Sequence, residues 1–183
     1  MSAAEADVED LLQRGRAFAE RHRWTRALAC FREAAARAPH HAEAWFRVAA
    51  TLDAMGHEGE AVPAYRRALN LGLVPVHAAK AWAWLGSSLR KTGRPAEALD
   101  CFRRAGTLGY PEASLAAWSG LALLAMGRGE EGLEAVGQAV ALEPACAEWR
   151  RLHGRALRAA GRPAEAAAAY AAARQLEAEG GRP

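Results

Sequence analysis

Long apolar runs are missing from this chain of 183 residues. None comes near the ~20 consecutive apolar residues that a bilayer-spanning helix needs, so no membrane role is expected. The opening MSAAEADVED has no basic segment followed by an apolar stretch, so a secretory leader is not expected either. Cysteine is scarce, with only Cys30, Cys101 and Cys146, and no CxxC pair. Free thiols in a reducing cytoplasm are the expected state. β-Branched residues are few and alanine dominates, which favours helix over strand. An excess of one charge is lacking as well: 24 Lys and Arg stand against 21 Asp and Glu, a formal net charge of +3. The arginines are interspersed with glutamates instead of forming a basic tail, which gives nucleic-acid binding little support.

Catalytic signatures are also missing. The chain has no GxxxxGKS/T, no GxSxG and no HExxH. His40-His41 is a turn dipeptide beside Pro39 whose rings should point apart. His22, His57, His77 and His153 have no cysteine or carboxylate at zinc-ligand spacing. No enzyme activity, metal or cofactor is expected.

What the chain does contain is a repeat. A small residue recurs at Gly15, Ala49, Gly86, Gly120 and Gly154, at intervals of 34, 37, 34 and 34 residues. Seven residues after each comes a turn position: His22, Gly56, Gly93, Gly127 and Gly161. Then come Ala27, Ala61, Ala98, Gly132 and Ala166, a large residue at Phe31, Tyr65, Phe102, Val136 and Tyr170, and Ala34, Ala68, Ala105, Ala139 and Ala173. A period of about 34 residues indicates a helical solenoid. Cys30 and Cys101 each precede the large residue of their unit, and two repeat steps should hold them beyond the ~7 Å reach of a disulfide.

The third unit shows how one copy folds. Trp82, Leu85, Gly86 and Leu89 fall on one helical face. Gly93 closes that helix, Pro95 opens the next, and Ala98, Phe102 and Ala105 form the inward stripe of the second helix. Gly86 and Ala98 let the two helices approach closely, so Gly86→Val is expected to destabilise more than Ser88→Val. In the second unit, Pro63 inside the second helix should bend it or delay its start. The three extra residues of that unit, around 70–75, are placed in a turn. In the fourth and fifth units a register slip of one would make Leu115 and Trp118, or Trp149 and Leu152, core residues.

AWAWLG, EALDCF and the spacing between them resemble the tetratricopeptide repeat family, and the resemblance extends over roughly residues 8 to 178. EAVPAYRRALNLGL followed by AWAWLGSSLRKTGR is also similar to a small bacterial group of such proteins. The resemblance implies an all-α, right-handed superhelical solenoid of five helix-turn-helix repeats in a single domain, 1–183. Repeat boundaries are expected at 8–41, 42–78, 79–112, 113–146 and 147–178, with a flexible tail at 179–183.

In this family the first helices of successive repeats line a concave groove that holds peptide segments of other proteins. Carried over position by position, the groove would be lined by Leu12, Arg16, Phe46, Arg47, Ala50, Asp53, Ala83, Trp84, Ser87, Arg90 and Lys91. Ala117, Trp118, Leu121, Leu124, Arg151, Arg155 and Arg158 would follow. Trp84 and Trp118 are read as aromatic anchors, with packing between repeats as the alternative. Trp24, Trp45, Trp82 and Trp149 are read as core. Arg151, Arg155 and Arg158 form one helical stripe suited to carboxylates or phosphates. The Lys and Asn clamp of chaperone-binding relatives is not met, since Arg16 and Ser87 are poor substitutes. The function expected is a cytoplasmic adaptor for a partner segment with acidic and apolar residues. A self-associating scaffold, dimerising through its terminal helices, is the alternative, and nucleic-acid binding through the arginine stripe is favoured less.

Overall fold

The computed structural model describes residues 3–180, which contain ten α-helices and no strand. The chain divides into two compact units, Met1–Arg94 and Pro95–Pro183. The first holds α1 (Ala3–Glu20), α2 (Trp24–Arg37), α3 (Ala42–Ala54), α4 (Glu58–Leu71) and α5 (Pro75–Lys91). The second holds α6 (Pro95–Thr107), α7 (Glu112–Ala125), α8 (Gly129–Leu142), α9 (Ala147–Ala159) and α10 (Pro163–Gly180).

One turn design follows the first helix of every repeat, and it recurs between α6 and α7, where Gly109 has φ 80° and Tyr110 donates its N–H to the Ala105 carbonyl at 3.1 Å. His22, Gly56, Gly93, Gly127 and Gly161 all have positive φ, between 54° and 80°. In each turn the next residue, at Arg23, His57, Arg94, Arg128 or Arg162, donates its N–H to the carbonyl five residues back, at 2.8–3.0 Å. That bond satisfies a helix-terminal carbonyl that would otherwise lack a partner. Only His22 does this without glycine.

The column of small residues has a direct steric reason. A Cβ added at Gly15 would lie 2.4 Å from the Phe31 ring, and one at Gly154 would lie 2.9 Å from Tyr170. At Gly120 it would meet Val136 Cγ2 at 2.5 Å and the Gly132 carbonyl oxygen at 2.8 Å. In these three repeats the small residue of the first helix therefore leaves room for the large residue of the second. In the second unit the core gathers Ala117, Leu133, Val136, Trp149, Leu152, Ala156 and Leu157, all buried. Leu115, Trp149 and Leu152 are buried and Trp118 is half-buried, while Gly120 and Gly154 keep the small-residue column, so the burial in α7 and α9 needs no slip of register.

Several boundaries differ from expectation. α4 runs unbroken through Pro63 from Glu58, so its start is not delayed. The extra residues of the second repeat mostly lengthen helices: α4 reaches Leu71 and α5 begins at Pro75, leaving 72–74 as the connection. Gly72, with φ 87°, makes the break. The helix of α10 includes Glu179 and Gly180, and the rest of the expected tail lies outside the described residues. Ser88, expected to be tolerant, is fully buried and donates its hydroxyl to Asp53 Oδ1 at 3.1 Å. Valine there would leave Asp53 with Lys91, at 3.7 Å, and without the hydroxyl.

Candidate functional site

In the first unit an open pocket of about 480 Å³ lies on the face carried by the first helices α1, α3 and α5. Arg16, Ala19 and Glu20 come from α1, Arg47, Ala50, Thr51, Asp53 and Ala54 from α3, and Trp84 from α5, while Trp24 and Phe31 of α2 close one side. Five of the expected groove residues, Arg16, Arg47, Ala50, Asp53 and Trp84, are thus brought to one pocket by three helices. The helical rise puts Ala50 and Asp53 one turn apart, and Arg47 one turn earlier, so α3 presents a single continuous stripe.

Trp84 is half-buried and stacks on Phe46, with ring centroids 5.6 Å apart and an interplanar angle of 10°. Phe46 stacks in turn with His77, at 5.3 Å and 16°. This corrects the expectation for Phe46. Its ring is 2% exposed and supports Trp84 from behind, without lining the open face. Ala83 and Ala117 are fully buried in the same column, three residues before the small residue. Within the first unit that column packs on the first helix of the following repeat, where Phe46 of α3 stacks on Trp84 of α5. Among the described residues no first helix follows α9, and the corresponding Arg151 is exposed.

The charges around the pocket are held by specific partners. Arg16 pairs with Glu9 at 2.6 Å. Arg47 pairs with Glu43 at 2.6 Å and lies beside the Phe46 ring. The other oxygen of Glu43 meets His77 Nδ1, also at 2.6 Å. Lys91 reaches Glu58 at 2.9 Å and Asp53 at 3.7 Å. Burial raises the Asp53 carboxyl above its usual range, while Lys91 and the Ser88 hydroxyl pull it back down. Glu58 is shifted the other way, lowered chiefly by its hydrogen bond from Lys91. Ser87 and Arg90 are half-buried on α5 and do not line the pocket.

The remaining expected residues belong to the second unit. Trp118 is half-buried, tilted against Phe102 at 6.0 Å and Tyr110 at 5.8 Å. Leu121 and Leu124 pack partly buried against the core of that unit. Here the packing alternative for Trp118 describes the ring better than a free anchor. Arg151 is bound to Glu177 of α10 at 2.6 Å, which takes it out of the open stripe. Arg155 and Arg158 are exposed and make no ion pair with the described residues.

Trp24 and Glu20 line the pocket although neither falls in the groove columns of the repeat. Trp24, expected in the core, is half-buried at the pocket wall, and its ring meets His22 edge-on at 5.4 Å. Its place as first residue of α2, directly after a turn, is the signal that could have found it. Trp45 and Trp82 are likewise half-buried, and only Trp149 of the four is fully packed. Among the described residues no group of three or more His, Cys, Asp or Glu could hold a metal ion, and no helix is long and apolar enough to cross a membrane.

A model of the Tetratrico peptide repeat family matches residues 42–155. No curated protein sequence matches the chain. Among solved structures, MamA of Desulfovibrio magneticus RS-1, from its residue 41 to its end, is similar with a TM-score of 0.82 and 21% identity. The match covers 96% of this chain and 98% of that one. YrrB, described as a TPR protein with an unusual peptide-binding site, gives a TM-score of 0.71 at 19% identity, covering 96% and 92%. PilF of Pseudomonas aeruginosa gives 0.71 at 21% identity, covering 100% of this chain and 80% of that one. At these identities the likeness is one of fold.

Proposed function

The chain belongs to the tetratricopeptide repeat family, and we propose that it is a protein-interaction adaptor whose pocket on α1, α3 and α5 holds an apolar segment of a partner protein. The observation that supports this most is Trp84. A half-buried indole, fixed from behind by Phe46 and open to a pocket of about 480 Å³, is a preorganised apolar anchor site. Its orientation is set before any ligand arrives, which limits the entropy lost on binding. Arg155 and Arg158, exposed on α9 and without an ion pair among the described residues, would accept acidic residues of a partner and accelerate its approach. The buried free thiols of Cys30 and Cys101 suit a cytoplasmic setting.

The test is selection of displayed peptides on the immobilised full chain, followed by calorimetry against wild type and Trp84→Ala. A hot-spot tryptophan contributes ~2 kcal/mol or more, so selected peptides should bind the variant about 30-fold more weakly. The substitution also uncovers Phe46 and removes a stacking contact of ~0.5–1.5 kcal/mol, so a thermal melt must show the variant still folded. Peptides that bind both proteins equally would sink the reading. Self-association is the competing reading, supported by Ala167, Ala168 and Ala171, which are exposed along α10. Concentration-independent sedimentation as a monomer would remove it.

A further inference from the structure

The pocket's two arginines look as though they should attract acidic ligands, but both already have dedicated carboxylates at 2.6 Å, Glu9 for Arg16 and Glu43 for Arg47. The pocket's own carboxylates are less well served. Glu20 is exposed and makes no ion pair with the described residues. Asp53 shares Lys91 with Glu58, and Lys91 sits nearer to Glu58, at 2.9 Å against 3.7 Å. The uncompensated charge in this pocket is therefore negative. Arg21 follows Glu20 directly but is exposed and does not line the pocket, and Arg23 and Arg26 line a separate hollow that shares Trp24 with it.

We propose that the segment held in this pocket presents a basic residue, an arginine by preference, beside its apolar residues. The inference rests on the adaptor reading above and specifies the chemistry of the same site. Trp84 and Trp24 bring indole rings, the best of the aromatic surfaces for a cation, to the same pocket that Glu20 and Asp53 line with carboxylates. A guanidinium suits both at once, because its plane stacks on an aromatic ring while its edge donates paired hydrogen bonds. Lysine could make the charge contact but would lack the planar stack. Burial already disfavours the ionised form of Asp53, so an arriving cation relieves a cost that the free protein carries. Acidic residues of a partner would then be directed to Arg155 and Arg158 of the second unit, not to this pocket.

A library of random dodecamer peptides displayed on phage provides the probe, selected in parallel on the wild-type chain, on Trp84→Ala and on a Glu20→Gln, Asp53→Asn double variant. On wild type, arginine should be enriched over glutamate and aspartate. The enrichment should disappear on the double variant while apolar preferences persist. For a recovered peptide, replacing its arginine by norleucine should weaken binding to wild type about tenfold, and should change binding to the double variant little. Peptides retained through Trp84 but with acidic or neutral residues in place of arginine would overturn the inference and leave the adaptor reading intact. Peptides retained no better on wild type than on Trp84→Ala would overturn both.

Discussion

Gly120→Ala should destabilise the protein even though alanine is the better helix former. In the interior of a helix the exchange gains ~1 kcal/mol of propensity. Against this stands the contact between α7 and α8. The new methyl would lie 2.5 Å from Val136 Cγ2, 2.8 Å from the Gly132 carbonyl oxygen and 3.1 Å from the Val136 nitrogen. A side chain could rotate away, but two of these three atoms are backbone, so the helices themselves must separate. The mirror contact makes that harder: a Cβ on Gly132 would meet the Gly120 carbonyl oxygen at 2.9 Å, so the two backbones already touch from both sides. Overpacking costs ~1–3 kcal/mol, and with backbone atoms on both sides the upper part of that range, ~2–3 kcal/mol, applies, leaving a net loss of ~1–2 kcal/mol.

Gly137→Ala is the internal control. It sits inside α8, where an added Cβ would have His153 Nε2 as its nearest neighbour, at an ordinary 3.9 Å. It should therefore keep most of the propensity gain. With ~2–4 °C per kcal/mol for a chain of this size, the two variants should differ in Tm by roughly 4–12 °C, with Gly120→Ala below wild type. Differential scanning calorimetry under one buffer condition would decide it. Should Gly120→Ala melt at or above Gly137→Ala, the close approach of α7 and α8 is not what keeps position 120 small.

Two further expectations come from single side chains. His22→Gly should stabilise the turn after α1 by ~1 kcal/mol, because φ 54° costs an L-residue what glycine does not lose; an unchanged urea midpoint would show that the edge contact with Trp24 offsets the strain. His153 has its pKa lowered by burial, and by Arg162 and Arg150, with Glu165 opposing. Its contribution to stability is thus complete above the unfolded-state value and is lost as pH falls from there through the folded one. The fall in urea midpoint between pH 7.5 and pH 5.5 should be smaller in His153→Gln than in wild type, and equal falls would refute the assignment.

The repeat was legible because its marks are steric necessities. Glycine at 15, 120 and 154 answers a ring or a backbone a few ångströms away, and positive φ at the turns admits few residues besides glycine. The pocket was legible only in part. Arg47 and Trp84 stand two residues before the small position, and Phe46 and Ala83 stand three before it. A shift of one residue rotates a helical side chain by about 100°, which separates the pocket wall from the seam between repeats. Hydropathy favours Phe46 as an anchor as strongly as Trp84, and only the packing of α5 against α3 tells them apart. The pairing of the arginines was hidden for another reason: Glu9 lies seven residues from Arg16 and Glu177 lies 26 residues from Arg151. Sequence distance alone could not show which cations were already satisfied.

The five turns have an evolutionary consequence. Each is closed by hydrogen bonds among residues no more than five apart, so none depends on what the neighbouring copies contain. A tandem duplication brings its own punctuation with it, and each new copy reverses its chain between its two helices without help from its neighbours. Selection is then free to act on the faces between turns. Lineages descended from such a chain should differ first in copy number and in the side chains of the first helices, and last in the residues that follow each helix end.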